Sequence, residues 1–579
     1  MSDHSTQGRL YYLGGKRKPA QDKFFKEALQ AAGWKPGTPN RWDTCWFTGM
    51  PKPKVFEQLK PGKTISHIPG NNSLTIKNNL FSVLEAARRR IIEQEGIESA
   101  RRLAFFPRAY SMPGDYQALQ EAAALNPDKR WILKPKNASR GRGISMVKDP
   151  AQVPREEKWM VQEYLDNPHL YHGYKYVLRL YVLITSVDPL RIYLYREGSA
   201  KLASEKYDPD NLDNLYAHLT NPDINATNEE NPSAVIFLTF EEYRRWLREQ
   251  GLDDHALFER IEEMLVMTSI AAREKMRERL SKVRADTSGC YELLGIDCLV
   301  DADLKPWIME CNLSPSLDIC AAPENGGVSE EANKRQLITD MVHLLGLTEP
   351  WKDYSTLEPE ERIRVTAREE LVRAGGFKRL IPSRDANRYL SCFPLPRPAD
   401  MILADEASES PVSRPHLKSR KTAEIIGDNR LSLYSEQSGT LYTPNETASW
   451  IWLKATDGND PDRVADELLE AQRSAEQEVN PWDIRKEVWD VLADWAETGL
   501  LIQDMPADAP SATDEAEGLN RNAAPAMTST SPPSNMLIIK AGNFFFQVQA
   551  CDAPIQSRLS QAFEPLLTDS IDGAENPRR

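Results

Sequence analysis

The segment 290–318, CYELLGIDCLVDADLKPWIMECNLSPSLD, restricts the fold and the chemistry more than any other part of the chain. Two apolar runs, 291–300 and 306–312, flank DADLKP, which reads as a hairpin turn. Positions 297 and 310 are symmetric about the centre of that turn, so Asp297 and Glu310 are expected to face each other across two strands. Glu310 and Asn312 share a face because side chains alternate along a strand. Two carboxylates and an amide oxygen therefore converge. Like charges so close repel unless a cation or a proton lies between them. A few hard oxygen donors suit Mg2+ shared with phosphates. A hairpin with partly exposed acids is the bland alternative, and the apolar flanks Cys298, Leu299, Ile308 and Met309 argue against it.

A site of this kind needs a partner that handles phosphate, and WILKPKNASRGRGISMV supplies one. Lys134 ends a strand-like run. A Ser/Arg/Gly loop follows, then a second strand from Ile144 to Val147. This is strand, glycine loop, strand, and not the strand–loop–helix of a Walker P-loop. Backbone N–H groups with Arg140 and Arg142 can close over phosphates. Further on, MVQEYLDNP takes Gln162 and Glu163 from a strand into a polar turn, where backbone groups can meet an adenine edge. In GYKYVLRLYVLIT, Lys175 and Arg179 share a face of an apolar strand, and burying that pair without anions is costly.

Composition narrows the setting. The chain has 579 residues and a net charge of −14, and its length implies two to four domains. Residues 1–150 hold 26 Lys and Arg against 13 Asp and Glu, a net of +13, which leaves −27 for the remainder. A basic lobe on an acidic protein points to an anionic ligand. Overall acidity and the lack of a recognisable nucleic-acid module argue against nucleic acid as the partner. No apolar run reaches about 18 residues, so no membrane span is expected. The N-terminus lacks the apolar core of a signal peptide. Seven scattered cysteines without a CxxC fit a reducing cytoplasm and neither a zinc site nor a disulfide framework.

Helical spacing of Phe24, Phe25, Ala28 and Leu29 predicts a helix ending near Gly33. Residues 76–127 read as mostly helical, 131–200 as β-rich and 239–285 as helices, with two more helices at about 329–346 and 358–375. Residues 386–425 are rich in Pro, Ser and Arg and read as a connector. Residues 426–505 form a smaller unit whose tryptophans, 450, 452, 482, 489 and 495, are mostly core. Residues 506–534 read as a disordered linker. Residues 535–579 form a short β-rich segment that opens with a hairpin.

These residues resemble the tubulin tyrosine ligase-like amino acid ligases, which have the ATP-grasp fold. The blocks that carry the resemblance occur in order over about residues 8–385. They include HIPGNNSLTIKNNL, WILKPKNASRGRGI, ASEKYD, NLYAHLTNPDIN, the segment opened on above and RAGGFKRLIPS. The resemblance implies an α/β (α+β) fold, with an N-terminal domain at 1–75 and ATP-grasp lobes at 76–385. It implies an ATP- and Mg2+-dependent ligase that makes an amide on a peptide or protein carboxylate through an acyl phosphate, with a free amino acid, glutamate, as donor. Matching by position, Lys77, Lys134, Arg140, Gly141, Arg142, Gly143, Gln162, Glu163, Tyr164, Leu165 and Lys175 would hold the nucleotide. Asp297, Glu310 and Asn312 would hold the metal, and Arg179, Lys201, His218, Thr220 and Asn221 would line the reacting centre.

Two positions depart from the family pattern. Val177 stands where an aspartate is usual, and Lys201 where an arginine is usual. They motivate an alternative, a catalytically degenerate scaffold that binds nucleotide and peptide. The smaller unit resembles PqqD-type winged-helix-like domains in LYSEQSGTLYTPNETASWIWLKATDG and VWDVLADWAETGLL. That resemblance implies a module presenting a peptide acceptor, which the basic lobe would favour if it is acidic.

Overall fold

The computed structural model describes residues 8–16, 19–136, 143–147, 149–229, 235–420, 422–427, 430–436, 439–474, 478–504, 536–541 and 544–549. The chain divides into two units, Met1–Val412 and Ser413–Arg579.

Among the described residues the first unit holds three sheets. Near the N-terminus a parallel sheet runs in the order Lys35–Pro36, Leu10–Gly15, Thr44–Thr48, Thr64–Ile65. The helix Pro19–Ala31 covers it, as the spacing of its apolar residues predicts, with Phe25 packed on Trp46 at 5.0 Å between ring centroids. An antiparallel sheet follows, ordered Ala109–Ser111, Trp159–Glu163, Trp131–Pro135, Ser145–Val147.

The third sheet has eight strands built around Tyr174–Val187. This strand is buried almost throughout, which explains why its sequence is a near-continuous apolar run rather than an alternation. It pairs with Ser199–Lys206, Leu190–Tyr195 and Glu292–Val300. Glu292–Val300 in turn pairs with Pro306–Leu313. One core joins this sheet to the first through Trp34, Trp46, Tyr181, Tyr193, Leu337 and Met341.

Residues 386–425 are not a bare connector. The strand Phe377–Ile381 closes the large sheet against Leu190–Tyr195. The helix Pro398–Ala407 is then buried over most of its length. Prolines and arginines that read as linker composition serve instead as helix start and buried ion pairs. Arg273, fully buried, sits 2.8 Å from Asp400, and Arg397 sits 3.0 Å from Glu274. Asp400 also accepts from the N–H of Leu190 at 2.9 Å, which locks this helix to the sheet.

The second unit begins before residue 426, with strands His416–Ser419 and Thr422–Gly427. The latter forms a three-stranded antiparallel sheet with Arg430–Ser435 and Thr440–Tyr442. Three helices, Glu446–Thr456, Pro461–Ser474 and Pro481–Glu497, enclose a core that includes Trp452, Trp489 and Trp495. Trp450 and Trp482 are half-buried. Strands Met536–Ala541 and Phe544–Gln549 pair antiparallel. The segment 506–534 and the residues after 549 lie outside the described residues. No helix among the described residues is long and apolar enough to cross a membrane.

Candidate active site

The antiparallel pairing places Asp297 directly opposite Glu310 and Gly295 opposite Asn312, and a register shift follows Asp297. On the other side of the same strand Arg179 lies opposite Asp297. Its guanidinium holds the carboxylate at two points, Nε to Oδ1 at 2.7 Å and Nη2 to Oδ2 at 3.1 Å. Lys201 Nζ reaches Asp297 Oδ1 at 3.3 Å. Burial alone would raise the carboxyl pKa of Asp297, but the charges of Arg179 and Lys201 outweigh it and hold it far below the ordinary range. Asn312 Nδ2 donates to Glu310 Oε1 at 3.2 Å and to Asp297 Oδ2 at 3.4 Å, so the amide ties the two acids together. Lys77 Nζ completes the group 2.8 Å from Glu310 Oε2.

A glycine makes the arrangement possible. A methyl at Gly295 would stand 3.3 Å from Arg179 Cδ and 2.7 Å from Pro315 Cβ. Glycine in a strand interior marks close approach of this kind.

The trio opens into a cavity of about 530 Å3. Lys77, Lys134, Lys175, Arg179 and Lys201 line it, as do Asp297, Glu310 and Asn312. Glu163, Tyr164, Leu165, His218, Thr220 and Asn221 also lie on its wall. Gln162 does not. It is fully buried behind the wall, where its Oε1 accepts from Lys134 Nζ at 2.6 Å. The Glu163 side chain is paired with Lys129 at 2.6 Å. Asn221 Oδ1 caps the short helix Pro222–Asn225. Gly143 takes a left-handed φ of 72° beside Pro135. Arg140, Gly141 and Arg142 lie outside the described residues.

Seven cationic side chains and six carboxylates line this cavity, and burial acts on the lysines. It lowers Lys134 to about 8 and Lys201 to about 8. Burial, with the nearby charge of Lys134, takes Lys175 to about 7. Desolvation leads in each case, and a bound anion would favour the charged forms of these lysines. Lys175 also starts a hydrogen-bond chain. Its ammonium donates to the Tyr164 hydroxyl at 2.9 Å, which lies 2.7 Å from His218 Nδ1, and His218 Nε2 lies 2.9 Å from the Asn211 carbonyl oxygen. Burial keeps His218 below its ordinary pKa, so the neutral ring donates to Asn211 and accepts from Tyr164.

Sequence reasoning passed over the support of this site. Glu292 begins the strand that carries Asp297 and is fully buried. Its carboxylate accepts from His67 Nδ1 at 2.9 Å, Asn71 Nδ2 at 2.7 Å and the Ile68 N–H at 3.1 Å. His67 Nε2 points at the Phe47 carbonyl oxygen at 2.7 Å and lies 3.3 Å from Ser314 Oγ. The Gly49 N–H donates to Ser314 Oγ at 3.2 Å. Ser314 itself has φ 47°, so the turn after Asn312 is held from the parallel sheet. The two departures from the family pattern prove to be neighbours, since Val177 and Lys201 face each other across paired strands.

Residues 57–343 match the sequence profile described as the Tubulin-tyrosine ligase family. Human tubulin monoglutamylase TTLL4 is 28% identical over 421 residues, which cover 62% of this chain and 34% of that protein. Human tubulin polyglutamylase TTLL5 is 31% identical over 351 residues, 58% of this chain and 26% of that protein. The human protein named probable tubulin polyglutamylase TTLL2 is 33% identical over 318 residues, 53% of this chain and 50% of that protein. The match thus spans between a quarter and a half of the length of these curated relatives. Through residues 57–343 the chain belongs to the tubulin-tyrosine ligase family.

Proposed function

We propose that the protein is an ATP- and Mg2+-dependent ligase that joins an amino acid, glutamate, to a carboxylate of a peptide or protein. One observation carries this reading: the acids Asp297 and Glu310 meet across a hairpin inside a cavity that Lys77, Lys134, Lys175, Arg179 and Lys201 help to line. Relatives named as glutamylases support glutamate as the donor.

The residues fit a metal shared with substrate. Among the described residues no group of three or more His, Cys, Asp and Glu side chains could hold an ion by itself. Two carboxylates and an amide oxygen leave the remaining positions to phosphate oxygens and water, as Mg2+ prefers. A half-turn of the Asn312 amide exchanges the donating Nδ2 for Oδ1. When bound there, the ion neutralises charge on the transferring phosphoryl group.

The cations do the rest of the electrostatic work. Lys134, Lys175 and Lys77 receive the nucleotide. Arg179, oriented by its two bonds to Asp297, faces the reacting phosphoryl group and stabilises charge developing on it. In the first step an acceptor carboxylate oxygen bonds to the γ-phosphorus and the bond to the ADP oxygen breaks. In the second the donor nitrogen, having lost a proton, bonds to the carbonyl carbon, and phosphate leaves with the former carboxylate oxygen. The smaller unit, as a PqqD-like module, presents the acceptor. Its Thr440–Tyr442 strand stands at a sheet edge, the place where an added peptide strand pairs. The positive charge of residues 1–150 favours an acidic acceptor.

The reading is tested by incubating the protein with ATP, Mg2+ and labelled amino acids in a lysate of the source organism. Mass spectrometry should find peptides carrying added glutamate. Firm ATP binding without any adduct would instead favour the nucleotide-binding scaffold that Val177 and Lys201 motivate.

Nucleotide affinity should also depend on pH with a definite sign. Lys175, at about 7, and Lys134, at about 8, are increasingly neutral in the free protein above those values. Bound phosphates favour their charged forms, so binding takes up protons and affinity falls as pH rises from 7 to 9. Each lysine contributes up to about tenfold per pH unit. Calorimetry at pH 7.5 in two buffers of different ionisation heat measures the uptake, and equal heats would contradict it.

A further inference from the structure

We propose that Asp318 receives the ammonium group of the amino acid donor, an inference that rests on the ligase reading above. Asp318 follows the Ser-Pro-Ser turn that ends the metal-ligand strand and lies on the wall of the same cavity. Its Oδ1 is sealed from solvent and has no hydrogen-bond partner. Its backbone is engaged, with the N–H donating to Ser316 Oγ at 3.3 Å and the carbonyl accepting from Lys334 Nζ at 2.6 Å.

Four other acids of the wall are compensated. Glu163 has Lys129, Asp297 has Arg179 and Lys201, and Glu310 has Lys77. Glu330 has Lys334 at 2.6 Å and the N–H groups of Cys320 and Ala321 at 2.9 Å. No cation among the described residues pairs with the Asp318 carboxylate. A carboxylate with one oxygen sealed and no cation beside it is costly, and a cation meeting the part of the group that is still open to the cavity relieves its charge.

Position and charge together select the ligand. Asp318, Lys201, Lys334 and Glu330 all lie close enough to the Cys320 thiol to act on it electrostatically. Asp318 thus shares the cavity wall with Lys201, which meets Asp297. Three reactants must enter. The nucleotide and the acceptor carboxylate are anions, which an unpaired carboxylate repels. The amino acid donor alone brings an ammonium group. Held by Asp318, its nitrogen sits in the cavity where the activated carboxyl group forms.

Steady-state ligation of L-glutamate by the full chain tests this, with glutarate as competitor. Glutarate keeps both carboxylates of glutamate and lacks the amine. Asp318→Asn should raise the KM for glutamate about 10- to 100-fold, the range of a lost charge-assisted bond, with the KM for ATP unchanged. Inhibition by glutarate should not change, so the preference for glutamate over glutarate collapses. Asp318→Ser, read in parallel, should do the same if Asn fails to fold. An unchanged glutamate KM overturns the proposal, and so does a matching rise in the KM for ATP. Absence of any glutamate adduct with the wild-type protein would bring down the ligase reading and this inference together; adducts with unaltered KM in the variants sink only the inference.

Discussion

Glu310→Gln should lower ligation by about 10²- to 10³-fold, the scale of removing one group preorganised for the transition state, while ATP still binds. Glutamine matches glutamate in shape, so the strand and its pairing with Asp297 persist. What goes is the charge that Lys77 meets at 2.8 Å and that Asn312 ties to Asp297. Lys77 loses one carboxylate that competes with phosphate for it, which is why nucleotide affinity should hold while turnover falls. Single-turnover adduct formation measured against Mg2+ concentration separates the two effects. The variant should need more Mg2+ and stay slow at saturation. A wild-type rate at any Mg2+ concentration would remove Glu310 from the chemistry.

Glu292→Ala should destabilise the first unit by about 3–5 kcal/mol, the cost of breaking a buried ion pair from one side. It strands three donors at once: His67, Asn71 and the Ile68 N–H. Burial pushes the His67 pKa down, but the charge and hydrogen bond of Glu292, with the Phe47 carbonyl, raise it above its ordinary value. Both ring nitrogens face oxygen acceptors, so the geometry fits the charged imidazolium. A raised folded-state pKa gives stability that is fully present below about 6.5, the unfolded value, and is lost as pH rises through the folded one. Thermal melting from pH 5.5 to 8.5 should show that decline in the wild-type protein and a flatter profile in Glu292→Ala. A variant with unchanged melting would mean that the cluster does not hold the fold. Glu292→Gln, which keeps the acceptor and loses the charge, should fall between.

The Asp297–Glu310 pairing was legible because its evidence is local. A short turn fixes the register of a hairpin, and acids on an apolar hairpin stand out. Lys134 was legible for a similar reason, at the end of an apolar run before Pro135. Glu292 and His67 were not, because nothing local in either segment records a partner so distant in the chain, and Glu292 at a strand's start looks like a solvated end. Asp318 was passed over because a lone acid after a turn is usually a turn residue, and only an unpartnered oxygen in three dimensions distinguishes it. Residues 386–425 misled for a physical reason. Pro and Arg are common in linkers, but Pro398 starts a helix, Arg397 is buried against Glu274, and Asp400 is buried against Arg273. The loop of Arg140, Gly141 and Arg142 lies outside the described residues, so its reading rests on sequence.

Val177 and Lys201 face each other across one ladder, so a change at one alters the surroundings of the other. An aspartate at 177 would draw the Lys201 ammonium away from Asp297 and leave Arg179 as that carboxylate's cation. An arginine at 201 alone would crowd a valine that offers it no acceptor. Substitution at these two positions should therefore arrive in pairs, and any engineering of the cavity has to move both at once.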